Sequence, residues 1–271
     1  TVGGALSARA ASGNMTQSGA LDIEGTTTLV TTAEGATIVL GTSTNAFTGA
    51  VTITTNDNVS PEDGTYAADV TIDGGTTLLR IAASTIDGDL TLRSGNASGI
   101  IDDGTVTVAG DLAATTNANS GVINLDTLAV DGTIALTTHS GGAATIVNDV
   151  GLNFAASTVR DTLNARATNG NIEQSGALAI TEATTLRATS GNNITLGNTS
   201  NDFQAAVIIT SGNNVTLVDA NAIDLGASTV SGTYAVTATA GGSITDSGVL
   251  AITGTSTFRV AGGQSVTLTE S

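Results

Sequence analysis

The lone histidine, His139, stands in "LTTHSGG", and two groups of acids stand apart from it. Asp57, Glu62 and Asp63 surround Pro61 in "NDNVSPEDG", and Asp102 and Asp103 are adjacent in "IIDDG". Three chemistries could use such residues. A histidine beside a nucleophilic serine and an acid makes a hydrolytic triad. Two carboxylates facing across a groove protonate a glycosidic oxygen and activate water. Oxygen-rich loops hold calcium, which takes six to eight oxygen ligands.

Each reading meets an obstacle in the residues. Serine is so abundant that a serine near His139 carries no information, and no nucleophile-elbow pattern occurs, so His139 reads as an exposed turn residue. A lyase or glycosidase acting on acidic sugars needs cations to neutralise the substrate, whereas all seven cations here are scattered arginines. The Gly-Gly-x-Gly-x-Asp repeat of calcium-binding β-rolls is absent. The acids therefore read as solvated turn caps. No catalytic residue, cofactor-binding residue or metal ligand is assigned, no cofactor is expected, and the chain is not read as an enzyme.

The elements that would position these residues follow from composition. Aromatic residues are 2% and charged residues 11%, yet hydrophobic residues reach 40%. Disordered chains have the opposite balance. Val and Thr suit a pleated strand, while the 34 glycines and many asparagines suit turns. A net charge of −17 repels phosphate backbones and anionic bilayers, so nucleic acid and membrane surfaces are not expected partners. No run is apolar and long enough for a spanning helix.

The chain repeats itself. "NMTQSGALDI" from Asn14, "NIEQSGALAI" from Asn171 and "SITDSGVLAI" from Ser243 are nearly one decapeptide. Ile172 aligns with Ile244, Leu186 with Phe258, Leu21 with Leu178 and Phe47 with Phe203. Units recur about every 72 residues, and shorter alternating runs ("AVTIT", "DLTLR", "TVTVAG", "NITLG", "SVTLT") recur within them about every 22. Leu29, Val51, Val70, Leu90, Leu112 and Ile134 mark one family of such runs, and each large unit is read as three coils. The alternation turns Val51 and Ile53 inward and Thr52 and Thr54 outward.

These periods predict an all-β parallel β-helix of about twelve coils, each of roughly 19–29 residues, with residues 1–271 as one continuous solenoid segment. The thin core is expected to hold small aliphatic residues and to exclude bulky aromatics. Runs of four to six residues are too short for a membrane β-barrel, whose strands need about 9–11. The outward Thr pairs do not recur at one position in each coil, which argues against an ice-binding face. Six Asn-x-Ser/Thr sequons, at Asn14, Asn58, Asn96, Asn193, Asn198 and Asn214, are too common in such a composition to indicate glycosylation.

The stretches "GALAITEATTLRATSGNNITLGNTSNDFQAAV" and "VSGTYAVTATAGGSITDSGVLAITG", with "DLTL", resemble the repetitive stems of large secreted bacterial adhesins. These are the filamentous-haemagglutinin-like exoproteins of two-partner secretion and related autotransporter passengers. The resemblance implies a right-handed β-helix, an extracellular or bacterial cell-surface location and a role in adhesion or in building filaments. On it the chain is expected to be an internal stem segment acting through rigidity, length and self-association, including end-to-end stacking with like subunits. The competing expectation is a module that binds a host glycan or surface protein through loops near Asp57–Gly64 and His139–Asp149. A polysaccharide-active enzyme is the most distant alternative.

Overall fold

The computed structural model describes residues 1–56 and 68–270. The chain is an all-β parallel β-solenoid of about 12 turns, with about 22 residues between stacked strands and, among the described residues, no helix. It comprises two compact units, Thr1–Gly142 and Ala143–Ser271.

In the first unit, Leu6–Ala10, Thr27–Thr31 and Val51–Thr54 stack in parallel, with Leu6 over Thr27 over Val51. A second face stacks Val70–Asp73, Leu90–Ser94, Leu112–Thr116 and Thr133–Thr137, with Val70, Leu90, Leu112 and Ile134 in one column. The spacing of those four had marked them as partners. Val51 does not belong to that column, because it pairs with Ile81. The supposed single family thus joins two faces, since a strand's alternation does not reveal which face it lies on. The long strand Ile123–Val130 receives both Ile100–Asp102 and Val106–Val108.

In the second unit, Ala144–Asn148, Leu163–Ala167, Thr184–Ala188 and Val207–Ser211 form one face. Ile172–Gln174, Ile194–Leu196, Val215–Asp219, Tyr234–Ala238 and Ser256–Val260 form another. Ser157–Val159, Leu178–Ile180 and Asp202–Phe203 supply short strands to a third. Ile244 follows Ile172 by 72 residues, but its strand Ile244–Asp246 stacks on Ile223–Leu225, in the sheet opposite to that of Ile172. The large unit is therefore not three whole coils. At about 22 residues per turn, a step of 72 residues overshoots three turns, which moves this copy to a different sheet.

Inward positions are closed to solvent. Val51, Ile53, Leu90, Ile134, Leu186 and Ile194 are all 0% exposed, and each such side chain contributes roughly 1.5–3 kcal/mol of burial. The expectation that aromatics stay out of the core is wrong. Phe47, Phe154, Phe203 and Tyr234 are buried, and Tyr234 meets Phe258 edge to face at 6.0 Å. A column of Val and Leu tolerates one large ring where the rung beside it is smaller. Close stacking also sets backbone demands. Gly99 has φ 74°, and a Cβ there would strike the Val122 carbonyl of the next turn.

Candidate functional site

Asp102 and Asp103 are neighbours in sequence but point apart. Asp102 is 9% exposed. Its Oδ1 accepts the Asp126 backbone N–H at 3.0 Å, and its Oδ2 accepts the Thr127 N–H at 2.8 Å and the Thr127 hydroxyl at 2.9 Å. Asp126 and Thr127 are the two exposed residues where the long strand turns its corner, so Asp102 staples that corner. Asp103 pairs with Arg80 at 2.6 Å on the outside. Both carboxylates are committed to neighbouring turns.

His139 is exposed, and its carbonyl accepts the Gly142 N–H at 2.9 Å. Beneath it the Thr138 hydroxyl donates to the Gly142 carbonyl at 2.6 Å, closing the turn. Five residues of the expected loop His139–Asp149 form the strand Ala144–Asn148. Asp57, Glu62 and Asp63, and the loop Asp57–Gly64, lie outside the described residues. Among the described residues no three His, Cys, Asp or Glu side chains gather to hold a metal ion, and no helix is long and apolar enough to cross a membrane.

The repeated decapeptide has a different use. Asn45 is 1% exposed. Its Oδ1 accepts Gln17 Nε2 at 2.8 Å and the Leu21 N–H at 2.9 Å. Its Nδ2 donates to Gln17 Oε1 at 3.0 Å and to the carbonyls of Leu40 and Asp73, each at 3.1 Å. Asn201 repeats the pattern with Gln174, the Leu178 N–H and the carbonyls of Leu196 and Val218. Each Asn thus ties three successive turns at a corner. In the third copy Asp246 replaces the glutamine, and its carboxylate accepts the N–H groups of Thr269 and Glu270. The sequence held the signal for these locks: Gln-Ser-Gly-Ala-Leu is followed in both copies by Asn-x-Phe.

A second set of side chains climbs the solenoid edge. Asp69, Asp89 and Asp111 each accept, through Oδ1, the backbone N–H of the equivalent residue one turn on. Asn171, Asn193 and Asn214 do the same in the second unit. Four sequon asparagines, Asn14, Asn96, Asn193 and Asn214, are engaged in bonds between turns.

Two buried ionisable groups are shifted by their surroundings. Asp219 is 0% exposed. Desolvation pushes its carboxyl above the usual carboxylate range, against the opposing hydrogen bonds from the Phe203 and Asn221 N–H groups and with a smaller push from Asp202. Burial pushes the Tyr234 hydroxyl up to about 12. Ser228, whose hydroxyl donates to the Gly226 carbonyl, does not complete a hydrogen bond to it. A cavity of about 470 Å³ opens at the first turn, lined by Leu6, Met15, Leu21, Leu29 and Leu40 among others. It is the apolar core seen end-on.

No curated protein and no solved structure matches the chain. A family model described as repeats of unknown function, DUF5649, matches residues 1–54, 141–210 and 212–271. The two complete amide locks, Gln17–Asn45 and Gln174–Asn201, fall inside matched segments. With well over half of its length matched, the chain belongs to this family of repeats, DUF5649.

Proposed function

We propose that the chain is a structural stem segment of a secreted bacterial surface adhesin or extracellular filament. It works through stiffness, length and association with like subunits rather than through a reaction centre. The observation that carries this reading is where the polar side chains go. Asn45, Asn201, Asp102 and the Asp69–Asp89–Asp111 edge give their hydrogen bonds to adjacent turns, which is the use a load-bearing stack makes of them.

Single-molecule pulling tests it. A stem should resist and then shed turns one or a few at a time, each of about 22 residues and roughly 75 Å of contour at full extension. Collapse of a whole unit in one low-force step would contradict the reading. A second reading, a module for a host glycan or surface protein, is supported by one observation: an outward pair of arginines with no acidic partner.

A further inference from the structure

Arg166 and Arg187 stand in direct register on adjacent strands, Leu163–Ala167 and Thr184–Ala188. Leu163, Ala165 and Ala167 are buried, as are Thr184, Leu186 and Ala188. The alternation therefore puts both side chains on the outer face, Arg187 exposed and Arg166 half-buried, one turn apart at a strand spacing of ~4.8 Å. Like charges directly opposite destabilise a sheet. Among the described residues neither guanidinium has an ion pair or hydrogen bond, and Arg166 Nε is shut away from solvent with no partner. The chain carries 24 acidic residues against seven arginines, so acids to neutralise the pair are plentiful elsewhere.

The surroundings narrow the ligand. The outward neighbours on one side are Thr145, Asn164, Thr185 and Ile208, with Val147 and Ser211 in the arginine column itself, all uncharged; on the other side the one carboxylate, Asp149, accepts hydrogen bonds from the Thr168 hydroxyl and the Asn169 amide. The strand register slips at Arg187, where Leu186 pairs with Ile209 but Arg187 with Ser211. Such bulges re-aim side chains. Asp149 is already hydrogen-bonded on its own turn edge and salt screens the more distant negative charge beyond about 8 Å, so a single anionic group can meet the two guanidiniums. An extended polyanion would not, because it would also run over the acids.

We propose that Arg166 and Arg187 form a clamp for the carboxylate of an acidic sugar. The two guanidiniums take the carboxylate oxygens, for which the planar fork is suited. Asn164 and Thr185, one outward position along on the same two strands, take ring hydroxyls. The inference rests on the binding-module reading and not on the stem reading, which the pulling experiment tests separately.

The test uses the whole chain, labelled with ¹⁵N, and follows the seven arginine Nε–H resonances during addition of glucuronate, glucose or inorganic sulfate. Glucuronate should move Arg166 and Arg187 together, with a dissociation constant on the order of millimolar, while glucose moves neither. Arg187→Gln and Arg166→Gln should each weaken the response at least about tenfold. Arg9 and Arg259 are the internal controls, since Arg9 is in register with Val30 and Arg259 with Thr237, and their resonances should stay still. Without ligand, Arg187→Gln should raise the melting temperature by removing a like charge, which also shows that the variant folds. Equal shifts at Arg9 and Arg259, or none by about 50 mM glucuronate, would overturn the proposal. Sulfate binding as tightly as glucuronate would also overturn it, by making the pair a site for an adventitious ion only.

Discussion

The side-chain amides of Gln17 and Asn45 face each other reciprocally, Gln17 Nε2 donating to Asn45 Oδ1 at 2.8 Å and Asn45 Nδ2 donating to Gln17 Oε1 at 3.0 Å. Gln174 and Asn201 make the same pair at 2.8 and 2.9 Å. A primary amide is the one neutral side-chain group with two donors and an acceptor of two lone pairs, which is what this corner requires. Asn45→Ala should cost about 3 kcal/mol, because the Leu21 N–H and the Leu40 and Asp73 carbonyls lose a partner. Asn45→Asp should be nearly as costly, since a carboxylate cannot donate to those carbonyls. Urea unfolding of each variant measures this.

Thr27 and Thr184 occupy equivalent inward positions, and each hydroxyl is buried without a hydrogen-bond partner. Valine has nearly the same shape without the unsatisfied group. Thr27→Val and Thr184→Val should each stabilise the fold by about 1 kcal/mol, read as a higher urea midpoint at unchanged slope.

Asp102 offers a direct contrast between catalysis and structure. Asp102→Ala strands three donors at the corner of Ile123–Val130 and should cost about 2–3 kcal/mol. Asp102→Asn, which keeps one acceptor oxygen, should cost less. Hydrogen exchange at the Asp126 and Thr127 amides should accelerate in both, most in the alanine variant.

Stability should fall in base. Tyr234 has its hydroxyl raised from 10.0 to about 12 by burial. Below pH 10 its contribution is intact. Above it the unfolded chain ionises first, so stability declines as pH rises towards 12, by on the order of 2–3 kcal/mol. Tyr234→Phe should remove that slope. Asp219 is also raised, so its own contribution is greatest in acid and fades as pH rises through its folded value. Thermal melts across pH of wild type, Tyr234→Phe and Asp219→Asn isolate both effects.

The alternation of Val, Ile and Leu with Thr made the strands legible, because inward and outward positions differ in polarity at every second residue. Val70, Leu90, Leu112 and Ile134 could be stacked from spacing alone, and the structure pairs them. Val51 was misplaced because a column carries no label for its face. Asn45 and Gln17 were overlooked for another reason. They lie 28 residues apart in Gly- and Ser-rich turns, where polar residues are expected to face water. Only closure of one turn over another buries them. Two adjacent carboxylates invite a catalytic reading of Asp102, while strand geometry sends consecutive side chains to opposite sides.

Coupling between Gln174 and Asn201 tests the central claim most directly, that the recurring polar letters bind turn to turn. In a double-mutant cycle of Gln174→Ala, Asn201→Ala and the pair, the two losses should fall short of additivity by about 1–2 kcal/mol. Losses that sum to within about 0.3 kcal/mol would show that the two amides act independently and would contradict the account.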